Sequence, residues 1–321
     1  RLIAATEPID LASETYPDPV SHCGICPWNE VCEQRRKTDD HLSRVAGLGK
    51  PQIKSLAGVG ITTVQGLAEA VEGKGPPRML AATYERLRHQ AQLQATTAVD
   101  EPRFELVDPA LNPAGGFRLL PEPSAGDLFF DLEGDPYRGD DGSGLEYLWG
   151  VSNASDDFSS WWAHDSDAEL VAFENIVDFF IDCLARDPKM HVYHYADYEV
   201  SVMKRLASRH ASREEEVDHL LRNEVFVDLY AVARHAVRIS KSSLSIKDLE
   251  VFYRDARETD VQSGMASVVE YEKWIEAPDQ AILDDIEAYN RDDCLSTHGL
   301  REWLELQRSD AETRWGTIER R

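Results

Sequence analysis

Two carboxylates in an otherwise apolar stretch are the first residues of this sequence that suggest chemistry. The segment LFFDLEGD, residues 128–135, has the composition of a buried strand and carries Asp131 and Glu133 two positions apart. Side chains two apart in a strand share a face, so both acids would lie beside Phe129. Adjacent carboxylates repel each other and resist burial, and Mg²⁺ or Mn²⁺ would relieve both costs. The alternative is a strand end with solvated acids.

A second pair of acids occurs in VYHYADYEV, residues 192–200, where a predicted strand leads into a predicted helix. Asp197 occupies a position typical of a helix N-cap, which is its structural interpretation. Glu199 lies on the apolar stripe of the same helix, and a core-facing acid needs a partner. Glu199 is therefore the stronger functional candidate, while His194 is expected to be an ordinary core histidine.

A third candidate site lies on a late helix, in AILDDIEAYNRDDCLSTHGL at 281–300. Tyr289 and Asp293 are four residues apart and therefore share a helix face. Apolar residues continue the same stripe, which predicts that Asp293 points inward beside the tyrosine hydroxyl. Asp292 is rotated off the stripe, and we expect it to be solvated.

These three segments, in this order, resemble the motifs of the DEDD exonucleases in their tyrosine variant. Together they are similar to the ribonuclease H-like domain of RecB-type nucleases, and the resemblance covers roughly 127–307. It implies an α/β fold with a ribonuclease H-like mixed sheet flanked by helices. It also implies a metal-dependent exonuclease that degrades single-stranded DNA ends from 3′ to 5′ in repair or defence.

The same resemblance implies two-metal hydrolysis, with two Mg²⁺ or Mn²⁺ ions about 3.5–4 Å apart. Asp131 would bridge the two metals, and Glu133 and Asp293 would bind the one that carries the nucleophile. Glu199 stands where the family usually has Asp, and it would help to place the second metal. Tyr289 would orient or deprotonate the attacking water.

The same residues fit other interpretations. Asp228 follows another predicted strand and is a further candidate ligand, although a helix-cap role is favoured. The glutamate at the second motif and the acidity of the chain favour a catalytically inactive nucleic-acid-binding or scaffold domain. A metal phosphoesterase acting on small nucleotides is a third function, and RNA stays possible as the polymer substrate.

Three cysteines near the start have the spacing C-x2-C-x5-C, namely Cys23, Cys26 and Cys32. Such clusters are typical of zinc or iron–sulfur sites, which need four ligands, and His22 is awkwardly placed to be the fourth. The stretch resembles the tail of RecB-type nucleases with an iron–sulfur cluster. That resemblance implies a fourth cysteine and an N-terminal nuclease core outside this chain, which begins at Arg1; free thiols are the alternative.

The segment VAGLGKPQIKSLAGVGITTVQGLAEA, residues 45–70, resembles helix-hairpin-helix modules, which grip a DNA backbone through the amides of glycine turns. Lys50, Lys54, Arg35 and Arg36 supply local positive charge. Helix N-termini also favour phosphate. An ordinary helical hairpin with glycine turns explains the pattern equally well.

The elements that would position the acids alternate between strands and helices from residue 127 onward, which predicts an α/β domain. Predicted strands lie at 127–134, 146–153, 159–165 and 189–195, and a short strand running into a helix lies within 224–237. Further predicted helices cover 167–186, a stretch from about 197, 213–222 and 264–307. We expect four regions: a cysteine-containing tail at 1–40, a helical module at 41–94, a linker or surface-hugging connection at 95–126, and the exonuclease domain at 127–321.

Composition limits the protein class. The net charge is −25, from 34 basic and 59 acidic residues, which argues against a simple electrostatic nucleic-acid binder. A nuclease site is itself acidic before it binds metal, so a nuclease stays compatible. With no apolar run near 20 residues and no signal peptide, we expect a cytoplasmic protein without a membrane partner.

Overall fold

The computed structural model describes residues 16–20, 23, 26–98, 100–138, 144–255 and 264–321. The chain divides into two compact units, Arg1–Thr96 and Thr97–Arg321. Each unit has its own apolar core.

The first unit is helical, as its glycine-punctuated pattern predicts. Thr63 begins the third helix by accepting the Gly66 N–H, and Gly49 precedes the second. Leu42, Leu56 and Leu67 form the centre of the core. The helices are α1 (Asn29–Thr38), α2 (Lys50–Ala57), α3 (Val64–Ala68) and α4 (Ala81–Thr96).

The second unit holds a mixed arrangement of strands and helices. Its strands are β1 (Phe104–Leu106), β2 (Leu128–Asp135), β3 (Leu145–Asn153), β4 (Phe158–Trp162), β5 (Val192–His194), β6 (Phe226–Asp228) and β7 (Val237–Ile239). Its helices are α5 (Ser166–Arg186), α6 (Tyr198–His210), α7 (Glu214–Arg222), α8 (Leu229–Ala236), α9 (Ile246–Glu250), α10 (Gly264–Glu276) and α11 (Gln280–Trp315).

Five of these strands form one sheet in the order β4-β3-β2-β5-β6. The pairs β2–β3 and β3–β4 are antiparallel, whereas β2–β5 and β5–β6 are parallel. β2 therefore lies in the middle of a mixed sheet that is flanked by helices, and the predicted α/β fold is confirmed. A central strand is covered on both faces, which explains why its sequence is so apolar.

The two faces of β2 pack into different cores, as its alternation predicts. Leu128, Phe130 and Leu132 pack against one layer, which includes residues of α5, α6 and α7. Phe129 packs against the other layer, which includes residues of α8 and α11. Because Asp131 and Glu133 share the face of Phe129, β2 directs both carboxylates toward the layer that contains α11.

From Thr97 onward, the segment 95–126, predicted to be a linker or surface-hugging connection, belongs to the second unit. Its strand β1 pairs with β7 in a separate antiparallel ribbon. Phe117 and Leu120 are fully or almost fully buried in the core beside α8. Scattered apolar residues among its prolines and glycines explain why this segment packs instead of spanning open solvent.

The helix α11 runs for 36 residues and extends eight residues beyond its predicted end at 307. Asp279 begins it by accepting the Ala281 N–H. Its buried face includes Ile286, Leu300 and Ala311. Within the described ranges, no helix has both the length and the apolar character needed to cross a membrane.

Candidate metal centre

Three carboxylates meet where β2 faces α11. Ligand oxygens of Asp131, Glu133 and Asp293 all lie within 4.8 Å of one another. Two come from the central strand and one from the long helix, so a sequence separation of 160 residues is closed by the packing of α11 on the sheet. In the described part of the chain, this is the one group of three or more acid, histidine or cysteine side chains with such spacing.

Asn290 holds Asp131 in place. Its Nδ2 donates a hydrogen bond of 2.8 Å to Asp131 Oδ2, and its side chain is fully buried. Gly150 lies opposite Asp131 on β3, and a Cβ there would lie 1.7 Å from Asn290 Oδ1. A glycine is therefore required at this position of β3 if Asn290 is to reach Asp131. Sequence reasoning missed Asn290, although it lies three residues before Asp293 on the same helix.

Glu133 has its own partner on α10. Ser267 is fully buried and forms a side-chain hydrogen bond with the Glu133 carboxylate, while its Oγ lies 2.7 Å from Tyr147 Oη. The Tyr147 ring stacks on Tyr271 with the ring centroids 3.9 Å apart, which fixes α10 against β3. Nothing in the local sequence around Ser267 signals this role.

Tyr289 lies beside Asp293, as their four-residue spacing predicts. Its hydroxyl donates to the Asp293 carboxylate. Lys247 of α9 approaches from the other side, with its Nζ 3.1 Å from Tyr289 Oη. Sequence reasoning did not single out Lys247, which lies 42 residues away from the tyrosine.

The electrostatics of the three acids favour a cation. Burial, together with repulsion from Asp293 and Glu133, raises the pKa of Asp131 well above its usual range. Burial and repulsion from Asp293 likewise raise the pKa of Glu133. Three oxygen donors that repel one another in a buried site suit a hard divalent cation such as Mg²⁺ or Mn²⁺. The residues present therefore fit such an ion.

Glu199 lies near the three acids but outside their group. It is buried, as its place on the apolar stripe predicts, and its Oε2 is 3.4 Å from His194 Nδ1. Its charge contributes to the raised pKa of Asp131, so the two carboxylates lie within electrostatic range of each other. Burial raises the pKa of Glu199, and the contact with His194 partly opposes that rise.

The two alternative acids occupy different environments. Asp197 is exposed at the start of α6, and its side chain makes no capping hydrogen bond there. Asp228 begins α8 and accepts the Tyr230 N–H at 2.8 Å. The same oxygen accepts the Ala196 N–H at 2.9 Å, which joins the turn after β5 to the end of β6. The capping interpretation of Asp228 therefore has direct structural support.

The expectation that Asp292 is solvated is wrong. Its side chain is only 17% exposed, and its Oδ1 lies 2.5 Å from Nη2 of Arg254. Helical periodicity correctly places it off the stripe of Tyr289 and Asp293. The periodicity does not reveal that the chain just after α9 covers this side of the helix.

The cysteine segment is described in part. Cys23, Cys26 and Cys32 are partly buried, and among the residues that the structure describes they do not form a group with metal-ligand spacing. His22 lies outside the described residues. The iron–sulfur or zinc site stays a prediction from the spacing.

The predicted basic residues of the first unit differ in exposure. Lys50 and Lys54 are exposed on α2. Arg35 pairs with Asp39. Arg36 is 4% exposed and binds Glu33 together with a backbone carbonyl, so the expectation of a surface charge is wrong there. Its position on α1 faces the preceding segment, which the sequence pattern does not show.

A family model described as the RNase_H superfamily matches residues 128–305. The chain belongs to the RNase_H superfamily. The match spans the three acids and the residues that hold them, and membership indicates nuclease-type chemistry. Comparisons with curated proteins and with solved structures give no match.

Proposed function

We propose that this member of the RNase_H superfamily is a metal-dependent nuclease that hydrolyses phosphodiester bonds. The observation that carries the proposal is the group of Asp131, Glu133 and Asp293, with Glu133 buried and the two aspartates partly buried, brought together by β2 and α11. A scaffold gains nothing from three closely spaced, largely desolvated acids, because ionising them together without a cation costs stability.

Asp131, Glu133 and Asp293 would hold the divalent ion, which when bound lowers the pKa of a water and neutralises charge on a phosphate. The residues of this chain then have distinct tasks. Asn290 and Ser267 orient two of the carboxylates. Tyr289, a neutral hydroxyl because burial and the nearby acids raise its pKa, would orient the attacking water by hydrogen bonding.

The finer proposal is a 3′-to-5′ exonuclease on single-stranded DNA ends, with two ions at the site. It is supported by the order of the motifs and by the tyrosine four residues before Asp293. Glu199 is the candidate for placing a second ion, with Asp197 as its alternative. RNA is the second polymer to test, since no residue has been assigned to reading a 2′-hydroxyl.

A catalytically inactive binding or scaffold domain is the alternative function. The observation that favours it is the contact between Glu199 and His194, which engages the second-motif acid with a residue outside the three-acid group. Under either function, Lys50 and Lys54 are proposed to contact nucleic acid through its phosphates.

The wider setting is also proposed from the RecB-type resemblance. It includes a role in DNA repair or defence in the cytoplasm and an iron–sulfur cluster on Cys23, Cys26 and Cys32. The fourth cysteine and a second nuclease core would then come from outside this chain.

The test uses single-stranded DNA labelled at the 5′ end or at the 3′ end, with matched RNA, in Mn²⁺. We expect stepwise shortening of the 5′-labelled strand and immediate release of the 3′ label. Asp131→Ala should abolish both, whereas Asp285→Ala, at an exposed position of α11, should not. Cleavage of mononucleotide esters alone would indicate a phosphoesterase, and cleavage of no substrate would favour the scaffold.

A further inference from the structure

Lys247 lies on α9, a short helix outside all the sequence motifs of the acids. Its Nζ is 3.1 Å from Tyr289 Oη and 5.0 Å from the centroid of the tyrosine ring. The helix is held in place by Leu249, which is fully buried, and by Glu250, which accepts a hydrogen bond from Ser296 of α11. The lysine is therefore presented to Tyr289 by an anchored element.

The hydrogen bonds around Tyr289 have a defined direction. The hydroxyl proton is donated to the Asp293 carboxylate. A lysine ammonium group can only donate, so Lys247 donates to the lone pairs of the same hydroxyl oxygen. These two contacts together fix the torsion of the phenolic O–H.

The charge of Lys247 also acts on the acids. Its ammonium group contacts the Tyr289 hydroxyl, which lies beside Asp293, and it attracts the carboxylate of Glu133. Lys247 thus lies within electrostatic range of a group that carries up to three negative charges. Removing the lysine would leave the negative charges of the three carboxylates without this nearby positive charge.

Resting on the proposed function, we propose that Lys247 is a positioning residue for hydrolysis at this site. Its ammonium group holds the Tyr289 hydroxyl toward Asp293, and its charge offsets part of the negative charge of the three acids. The first role predicts that removing the lysine lowers kcat through its effect on Tyr289. The second predicts that removing the lysine raises the affinity of the acids for a cation.

The kinetic test compares Lys247→Met with Lys204→Met, which removes an exposed lysine of α6. We expect Lys247→Met to lower kcat by about 10- to 100-fold with KM changed by less than about threefold, as for other residues that orient a reacting group. When Tyr289→Phe is already present, adding Lys247→Met should lower kcat by less than about a further threefold, because the two residues act as a unit. If the kcat losses of the two single variants multiply in the double variant, the two residues act independently and the positioning role is rejected.

The cation test measures Mn²⁺ affinity by calorimetry on the full chain without nucleic acid. Lys247→Met should bind Mn²⁺ about threefold or more tightly than the wild type, because a positive charge beside the acids is gone. Lys247→Arg, which keeps the charge, should bind within about twofold of the wild type. A residue with a merely structural role would leave the affinity unchanged or weaken it, and that result contradicts the proposal.

The two arms separate this inference from the proposed function. If the wild type cleaves DNA but Lys247→Met matches Lys204→Met in kcat and in Mn²⁺ affinity, the role of Lys247 is rejected and the nuclease stands. If the wild type cleaves no substrate, the nuclease fails and the positioning role for hydrolysis fails with it. Should Lys247→Met not fold, Lys247→Gln supplies the same uncharged comparison.

Discussion

Two acids of the three-carboxylate group, Asp131 and Glu133, are costly to the cation-free protein when they ionise. Burial and mutual repulsion raise the pKa of Asp131 and Glu133, so the folded state holds their protons more tightly than the unfolded chain does. In the unfolded chain these acids have a pKa of about 4, and below that pH the protonated acids do not reduce stability. As the pH rises toward the higher pKa of the folded state, stability is lost. The carboxylates that can bind a cation therefore lower the stability of the cation-free protein at neutral pH.

Glu133→Gln should therefore stabilise the protein in EDTA. At pH 7.5 we expect the free energy of unfolding to rise by about 1–3 kcal/mol, with the gain vanishing below about pH 4, as both states of the wild type become protonated. Urea unfolding across this pH range measures it. Added Mg²⁺ should reduce or reverse the difference in the free energy of unfolding between Glu133→Gln and the wild type, since the wild type binds the ion better.

Glu276→Gln, at an exposed position near the end of α10, is the matched control and should show no such pH dependence. A Glu133→Gln protein that is less stable than the wild type by the same amount at every pH would contradict the account. It would mean that the hydrogen bond with Ser267 matters more than the charge of Glu133.

At the scale of elements, the site depends on how α11 is fastened to the sheet. Arg301 of α11 pairs with Asp127, just before β2, at 2.6 Å, and both side chains are almost fully buried. Asp127 also accepts the backbone N–H of His191, just before β5. The guanidinium lies over the rings of Phe129 and Tyr193. One buried contact thus joins the long helix to two neighbouring strands.

Arg301→Leu should cost about 3–5 kcal/mol in the free energy of unfolding, because it leaves the Asp127 carboxylate buried without its cation. Urea unfolding in EDTA is the measurement. Arg291→Leu, at an exposed position of the same helix, should change stability by less than about 1 kcal/mol. Equal effects of the two substitutions would show that the Asp127 contact does not fasten α11.

At the scale of the whole molecule, the parts of the site differ in how far the sequence predicts them. Strand alternation predicts that Asp131 and Glu133 share a face, and helical spacing predicts that Tyr289 and Asp293 meet, because both depend only on local geometry. The partners Ser267 and Lys247, by contrast, depend on which distant helices pack beside β2 and α11.

The same limit explains the corrections. Arg36 is buried because the chain around Pro17 covers its side of α1. Asp292 is paired because Arg254, far away in the sequence, lies against its side of α11. Likewise, spacing within the segment 95–126 does not show that Phe117 and Leu120 pack in the core beside α8. Periodicity predicts which way a side chain points, but it does not predict what lies there.

The charge of the whole chain bears on the order of binding. With a net charge of −25, the protein attracts divalent cations and repels nucleic acid at long range. A cation at the three acids removes part of that repulsion at the place where a phosphate would arrive. Cation binding should therefore be measurable before any substrate is present.

The most direct test of the central claim is a Mn²⁺ titration of the full chain, followed by the loss of the electron paramagnetic resonance signal of free Mn²⁺. Asp293→Asn is compared with Asp285→Asn, which changes the same residue type at an exposed position of α11. We predict that the wild type and Asp285→Asn bind Mn²⁺ alike, and that Asp293→Asn binds at least about tenfold more weakly. Equal binding by all three proteins, or none by the wild type, would contradict a metal centre at Asp131, Glu133 and Asp293.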